Sequence, residues 1–134
     1  LSNLRESIFL SYSSKDYKFV TWLKNRLRQD RYSAWRDRES IPPGANWQKE
    51  LDNALETCQY MVLVLSPDSI KSKWVQREYD SFLGSGKLVL PIKLYECEIP
   101  RKIADNIQII DATNDLEKAY VSLRKELDVR ERRI

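Results

Sequence analysis

Met61-Val62-Leu63-Val64-Leu65, running into Ser66-Pro67-Asp68-Ser69-Ile70-Lys71-Ser72-Lys73-Trp74-Val75-Gln76-Arg77-Glu78-Tyr79-Asp80-Ser81-Phe82, decides how this chain folds. The first five residues form an unbroken apolar run, the mark of a strand buried on both faces. Ser66-Pro67-Asp68 breaks that strand, and Ser72 is placed to cap a helix beginning near Lys73. On that helix Trp74 and Glu78 stand four apart and share a face, with Phe82 one turn further along. Glu78 then lies just past the C-terminal end of a central strand, the edge at which open α/β sheets bind ligands. Taken alone, the pair is most simply a solvated helix carboxylate beside a core tryptophan. The rest of the chain supplies a second reading.

Working outward, Ile8-Phe9-Leu10 is a short apolar strand that flows into Ser11-Tyr12-Ser13-Ser14-Lys15-Asp16. Asp16 can cap a helix in which Phe19, Val20, Leu23 and Leu27 recur at helical spacing, with Trp22 beside them. Lys24, Arg26 and Arg28 lie off that stripe as a solvated face. Residues 32–35 read as the second strand. Ile41-Pro42-Pro43-Gly44-Ala45-Asn46 is an exposed loop, since its prolines and glycine suit neither helix nor central strand. Asn46 then caps a helix carrying Trp47, Leu51, Ala54, Leu55 and Cys58 on its inner side. Beyond Phe82, Gly84-Ser85-Gly86 closes the helix. Residues 88–94 form another buried strand, in which Pro91 signals a bulge or a nearby edge. A short helix starts near Pro100, and residues 107–110 are the last strand. Residues 116–130 make an amphipathic helix with Leu116, Ala119, Tyr120, Leu123 and Leu127 inward. Such alternation predicts a flavodoxin-like α/β fold, a five-stranded parallel sheet with helices on both faces.

Composition removes several classes of function. At 134 residues the chain is read as one domain with room for a sizeable core. Its 23 Lys and Arg stand against 20 Asp and Glu, a mixed near-balance of +3 that leaves no nucleic-acid footprint. No apolar run approaches the ~20 residues of a membrane span. No signal peptide is visible, and a chain opening at Leu1 reads as a domain excised from a longer multidomain protein. Cys58 and Cys97 read as separate thiols in a reducing, cytoplasmic compartment, although spacing alone does not forbid a bridge. Histidine is absent, which removes Ser-His-Asp and Cys-His nucleophiles and, with two cysteines, argues against zinc or any other metal site. With three glycines in all, neither G-x-G-x-x-G nor a P-loop can be written. A nucleotide handled here is not held in a Rossmann manner.

Three motifs then fall in order. They are Ile8-Phe9-Leu10-Ser11-Tyr12-Ser13-Ser14-Lys15-Asp16, then Asp37 ahead of Ile41 and Gly44, then Ser72-x-Trp74-x-x-x-Glu78. Along essentially its whole length the chain resembles the Toll/interleukin-receptor homology (TIR) domain. These motifs are similar to that family's opening box, its second box with the glycine-containing BB loop, and the third-helix motif of members that cleave NAD. The C-terminal Phe-Trp motif of many animal receptors is missing, Phe82 being the last phenylalanine, which points to the bacterial or plant-like branch.

The resemblance implies cleavage of the nicotinamide–ribose bond of NAD, with NAD as substrate and no separate cofactor. It makes Glu78 the catalytic residue and Trp74 a stacking ring. Ser11, Tyr12, Ser13 and Asp37 would line the substrate pocket, unless Asp37 only caps or braces its loop. Ile41, Pro42, Pro43 and Gly44 would form an assembly loop that bridges to another copy of the domain; a rigid surface turn is the plainer reading of the same residues. Implied partners are NAD, further copies of the domain and a fused sensor, with neither nucleic acid nor membrane, in immune, antiphage or cell-death signalling. A noncatalytic interaction module is the alternative from a different class, and Glu78 discriminates, because a scaffold needs no carboxylate beside Trp74. A phosphoacceptor receiver domain is excluded, since the first strand ends in Ser11-Tyr12-Ser13 and lacks the acidic cluster.

Overall fold

Strand β3 (Tyr60–Leu65) is buried at every position because it is the middle of the sheet. The computed structural model describes residues 5–35 and 43–131. Around β3 stand β1 (Arg5–Ser11), β2 (Tyr32–Trp35), β4 (Leu88–Lys93) and β5 (Ile110–Asp111), in the order β2-β1-β3-β4-β5. Every neighbouring pair is parallel, with Ile8 opposite Tyr60 and Ser11 opposite Leu63 in the central ladder. The expected flavodoxin-like architecture is what the chain adopts.

Successive side chains of a strand point to opposite faces, and the core divides accordingly. Ile8, Leu10, Val62 and Val64 pack on one side with Leu23 and Leu27 of α1 (Tyr17–Gln29) and Leu123 and Leu127 of α6 (Leu116–Glu131). On the other side, Phe9, Met61 and Leu63 pack with Leu51 of α2 (Trp47–Thr57) and Val75 and Phe82 of α4 (Lys73–Gly84). Two single-turn helices, α3 (Pro67–Ile70) and α5 (Arg101–Ala104), complete the connections. The end of α4 is a Schellman turn: Lys87 N–H donates to Phe82 O and Gly86 N–H to Leu83 O, with Gly86 at φ +69°.

Several expectations change. Strand pairing at the far edge involves Ile110–Asp111 rather than 107–110, because Ile107 N–H still donates to Ile103 O at the end of α5. Pro91 sits without a bulge opposite Leu63. Leu94 N–H bonds to Leu65 O and Ala112 N–H to Lys93 O, so the alternation turns the nitrogen of Pro91 toward β5, whose pairing begins only at Ile92. Asp16 occupies the N-cap position of α1 but makes no cap bond. Leu116 is exposed rather than inward. Arg26 keeps contact with solvent but is paired there. It grips both oxygens of Glu117 at 2.6 and 2.7 Å and lies 4.5 Å from the ring centre of Tyr120, joining α1 to α6. Three tyrosines extend that seam, donating from Tyr120 to Asp30 (2.5 Å), Tyr32 to Asp128 (2.7 Å) and Tyr60 to Glu131 (2.5 Å). Cys58 and Cys97 are not joined in a disulfide. Among the described residues no helix is long and apolar enough to cross a membrane.

Candidate active site

Among the described residues, five polar or charged side chains are buried: Ser11, Asp16, Ser66, Ser69 and Glu78. All five lie at the C-terminal end of β1 or on the segments that leave β1 and β3. Here the chain leaving β1 turns toward β2 and the chain leaving β3 turns toward β4, the switch in strand order beside which open α/β sheets take their ligands. The concentration of buried polarity at one end of the sheet is what marks the site.

Glu78 is brought there by ordinary helix rules. Ser72 Oγ accepts the N–H of Val75 at 3.2 Å and fixes where α4 begins. Val75, Glu78, Tyr79 and Phe82 then fall on the inner face at the i, i+3, i+4, i+7 spacing. Opposite them, Phe9 turns to the α2/α4 side of the sheet, and Ser11, two residues on, turns the same way. Ser11 Oγ donates to Glu78 Oε1 at 2.8 Å, with the two residues 0% and 3% exposed. A carboxylate withdrawn from water is tolerable only with hydrogen-bond donors around it. The solvated-carboxylate reading is therefore overturned: Glu78 is buried and held.

The other anticipated residues are distributed differently. Tyr12, one residue beyond Ser11, packs half-buried on the opposite layer, against the α1/α6 core. Ser13 Oγ accepts the N–H of Lys15 at 3.3 Å and caps the short 3-10 turn Ser14–Asp16. Trp74 lies at the rim of the inner stripe, partly buried, with its ring centre 4.6 Å from that of Trp47 and the guanidinium of Arg77 at 5.4 Å. Ser11 and Glu78 are thus in contact, whereas Tyr12, Ser13 and Trp74 are engaged with other neighbours. Asp37, Ile41 and Pro42 lie outside the described residues. Pro43 and Gly44 form an exposed turn. Gly44 is at φ +86°, and a Cβ added there would meet nothing within 4 Å, so backbone conformation rather than space favours glycine.

Reading the sequence missed a second polar group beside the first. Ser66 caps α3: its Oγ accepts the N–H of Ser69 at 3.1 Å, while Ser66 N–H donates to Ser69 Oγ at 2.9 Å. The hydroxyl proton of Ser66 goes to Asp16 Oδ2 at 2.5 Å. Burial pushes the Asp16 carboxyl up from its ordinary value; the bond from Ser66 pulls it down, and neighbouring Asp68 adds to the rise. The spacing Ser66-Pro67-x-Ser69 carried the local signal for the cap, whereas nothing in the sequence pairs it with Asp16. Burial likewise pushes the Cys97 thiol up, away from nucleophilic thiolate character.

A sequence model of the TIR domain matches residues 8–125. The chain belongs to the TIR domain family. This TIR domain is 38% identical over 89 residues to a protein of Methanobrevibacter olleyae named probable 2′ cyclic ADP-D-ribose synthase TcpO, covering 63% of this chain and 26% of that protein. It is 32% identical over 126 residues to the NAD(+) hydrolase PdTIR of Paracoccus denitrificans, covering 87% of this chain and 42% of that protein. The chain thus spans less than half the length of either relative. Its backbone is also similar to the crystal structure of the TIR domain of the Toll-related receptor TRR-2 from Hydra magnipapillata. That match has a TM-score of 0.78 at 18% identity and covers 94% of this chain and 99% of the other.

Proposed function

We propose that this TIR domain cleaves the bond between nicotinamide and ribose in NAD, taken as substrate and without a further cofactor. The observation that carries the reading is the buried Ser11–Glu78 pair at the ligand edge of the sheet. Nicotinamide leaves as a neutral molecule from a cationic glycoside, so the reaction needs no general acid, and a chain without histidine suffers nothing by it. The transition state has oxocarbenium character, which a preorganised carboxylate stabilises far better in a dry crevice than in water. Glu78 supplies that carboxylate and Ser11 holds it by one oxygen. Trp74 stands at the rim of the same helix face, and Ser13 and Asp37 complete the substrate contacts, while Tyr12 anchors the segment after β1 to the α1/α6 core. Water capturing the ribosyl carbon gives linear ADP-ribose and a proton, whereas a hydroxyl of the same molecule gives a cyclic form. The names of the relatives from Paracoccus and Methanobrevibacter, a hydrolase and a cyclic ADP-ribose synthase, support this common first step.

The domain acts in the cytoplasm as part of a longer protein, whose sensor drives copies together in immune, antiphage or cell-death signalling. The loop around Ile41, Pro42, Pro43 and Gly44 makes the contact between copies. One short loop buries less than the ~1,200–2,000 Å² of a stable interface, so the free domain associates weakly and tethering raises its effective concentration.

Incubation of concentrated protein with NAD, followed by chromatography, should yield nicotinamide with ADP-ribose or a cyclic form. Glu78→Gln keeps an acceptor for Ser11 and should remain folded, with turnover reduced about 10²–10³-fold. Turnover per molecule should rise with protein concentration, and Gly44→Val, which places a β-branched residue at positive φ, should suppress the rise. A folded wild type with no turnover, even when fused to an oligomeriser, would leave the noncatalytic interaction module as the function.

A further inference from the structure

The connection between β1 and α1 is tied to the chain leaving β3 at both of its ends. At the near end Ser11 donates to Glu78, and at the far end Asp16 accepts from Ser66 at 2.5 Å. Asp16 is 7% exposed and Ser66 0%, so water cannot readily replace the second bond. The proton of Ser66 has little freedom in where it points. The oxygen of that hydroxyl already accepts from Ser69 N–H, and Ser69 in turn accepts from Ser66 N–H, so the first turn of α3 aims the one remaining O–H at Asp16. Asp16 itself stands where an aspartate would ordinarily cap α1, yet its side chain makes no cap bond and reaches across to the next connection instead. An exposed pair, Lys15 with Asp68 at 3.8 Å, spans the same gap and is the kind of contact that contributes little.

We infer that Asp16 is a positioning residue: its bond to Ser66 holds the Ser11–Ser13 segment in place against Glu78, and with it the alignment of the reacting sugar. This rests on the proposed NAD cleavage. The mechanism above uses neither Asp16 nor Ser66, and no local helix rule accounts for their pairing. Burial raises the carboxyl of Asp16, which is the signature of a group that costs stability where it sits. A group placed for stability alone would cap its own helix. One placed to register two connections would do what Asp16 does.

Asp16→Asn retains a carbonyl oxygen for the Ser66 hydroxyl, and Asp16→Ala removes it. Kinetics on NAD, at equal protein concentration and well below either variant's Tm, should separate the two. Loss of alignment at a reacting centre costs up to ~10²-fold, so Asp16→Ala should lose about 10–100-fold in kcat with KM changed far less. Asp16→Asn should restore most of that rate, and Ser66→Ala should reproduce the Ala defect. Amide hydrogen exchange supplies a second readout that needs no turnover: Tyr12 and Ser13 should exchange faster in Asp16→Ala and at the wild-type rate in Asp16→Asn. An Asp16→Ala protein with a lower Tm but wild-type kcat would overturn the inference. If the wild type cleaves no NAD at all, the proposed reaction fails instead. Exchange then decides whether the clasp exists, with unchanged protection in Asp16→Ala overturning it and faster exchange upholding it.

Discussion

Hydroxyl meets carboxylate in two regions of this domain, and the two regions are built to different ends. Along the α6 seam, Tyr120, Tyr32 and Tyr60 donate to Asp30, Asp128 and Glu131. Those carboxylates keep contact with solvent: the Asp30 and Asp128 side chains are 20% and 26% exposed, and Arg124 reaches both. At the C-terminal edge of β1 and β3 the donors are serines, and their acceptors, Glu78 and Asp16, are buried. Water can take the place of a lost tyrosine hydroxyl on the partly exposed Asp30 and Asp128, so losing such a donor costs less there. No such substitution is open at the edge, where a misdirected dipole stays misdirected. The seam stabilises the molecule; the edge fixes the direction of a charge.

Replacing one carboxyl in each region by its amide tests that division most strongly. Glu78→Gln should lose about 10²–10³ in turnover, whereas Asp30→Asn should cleave NAD at the wild-type rate; equal rates in the two variants would erase the distinction. Next in size is Ser11→Ala. It deletes a hydrogen bond to a buried carboxylate and should cost about 1.5–3 kcal/mol in denaturant unfolding, together with part of the turnover.

A subtler test is Asp16→Asn followed across pH. The wild-type carboxyl is raised from its ordinary 3.8, so the stability linked to its protonation is full below that value and is lost as pH rises through the raised one. The gap in Tm between Asp16→Asn and wild type should therefore be small below pH 3.8 and should widen in favour of the Asn variant as pH climbs. A gap that stays constant with pH would remove Asp16 from the buried class. Smallest of all, Tyr32→Phe and Tyr60→Phe should each cost about 0.5–1.5 kcal/mol and leave turnover untouched.

Much of the fold was legible because it rests on local rules. The apolar run of β3, the Ser72 cap and the turn after Gly84 each depend on residues within a few positions of one another. The depth of Glu78 was not read, although its spacing carried the signal, since it fills a core position between Val75, Tyr79 and Phe82. Its identity as a carboxylate obscured that, and the i+4 relation to Trp74 drew the eye to the rim of the same stripe. What could not be read was partnership at a distance. Ser11 lies 67 residues from Glu78, Asp16 lies 50 from Ser66, and Tyr60 lies 71 from Glu131. Charge and spacing on one helix do not say which element will face it, so nothing in the sequence paired Arg26 with Glu117 of α6.

Pro91 has a consequence for how copies of this domain can meet. The ladder between β4 and β5 begins at Ile92, so the earlier half of β4 has no β5 residue paired to it. A strand in that condition invites pairing with a strand from another molecule, the usual route to uncontrolled aggregation. Proline at position 91 takes away a donor that an incoming strand would need on that side. A domain proposed to work by gathering its own copies must gather them through the right surface, and an edge that offers no continuous ladder is not such a surface.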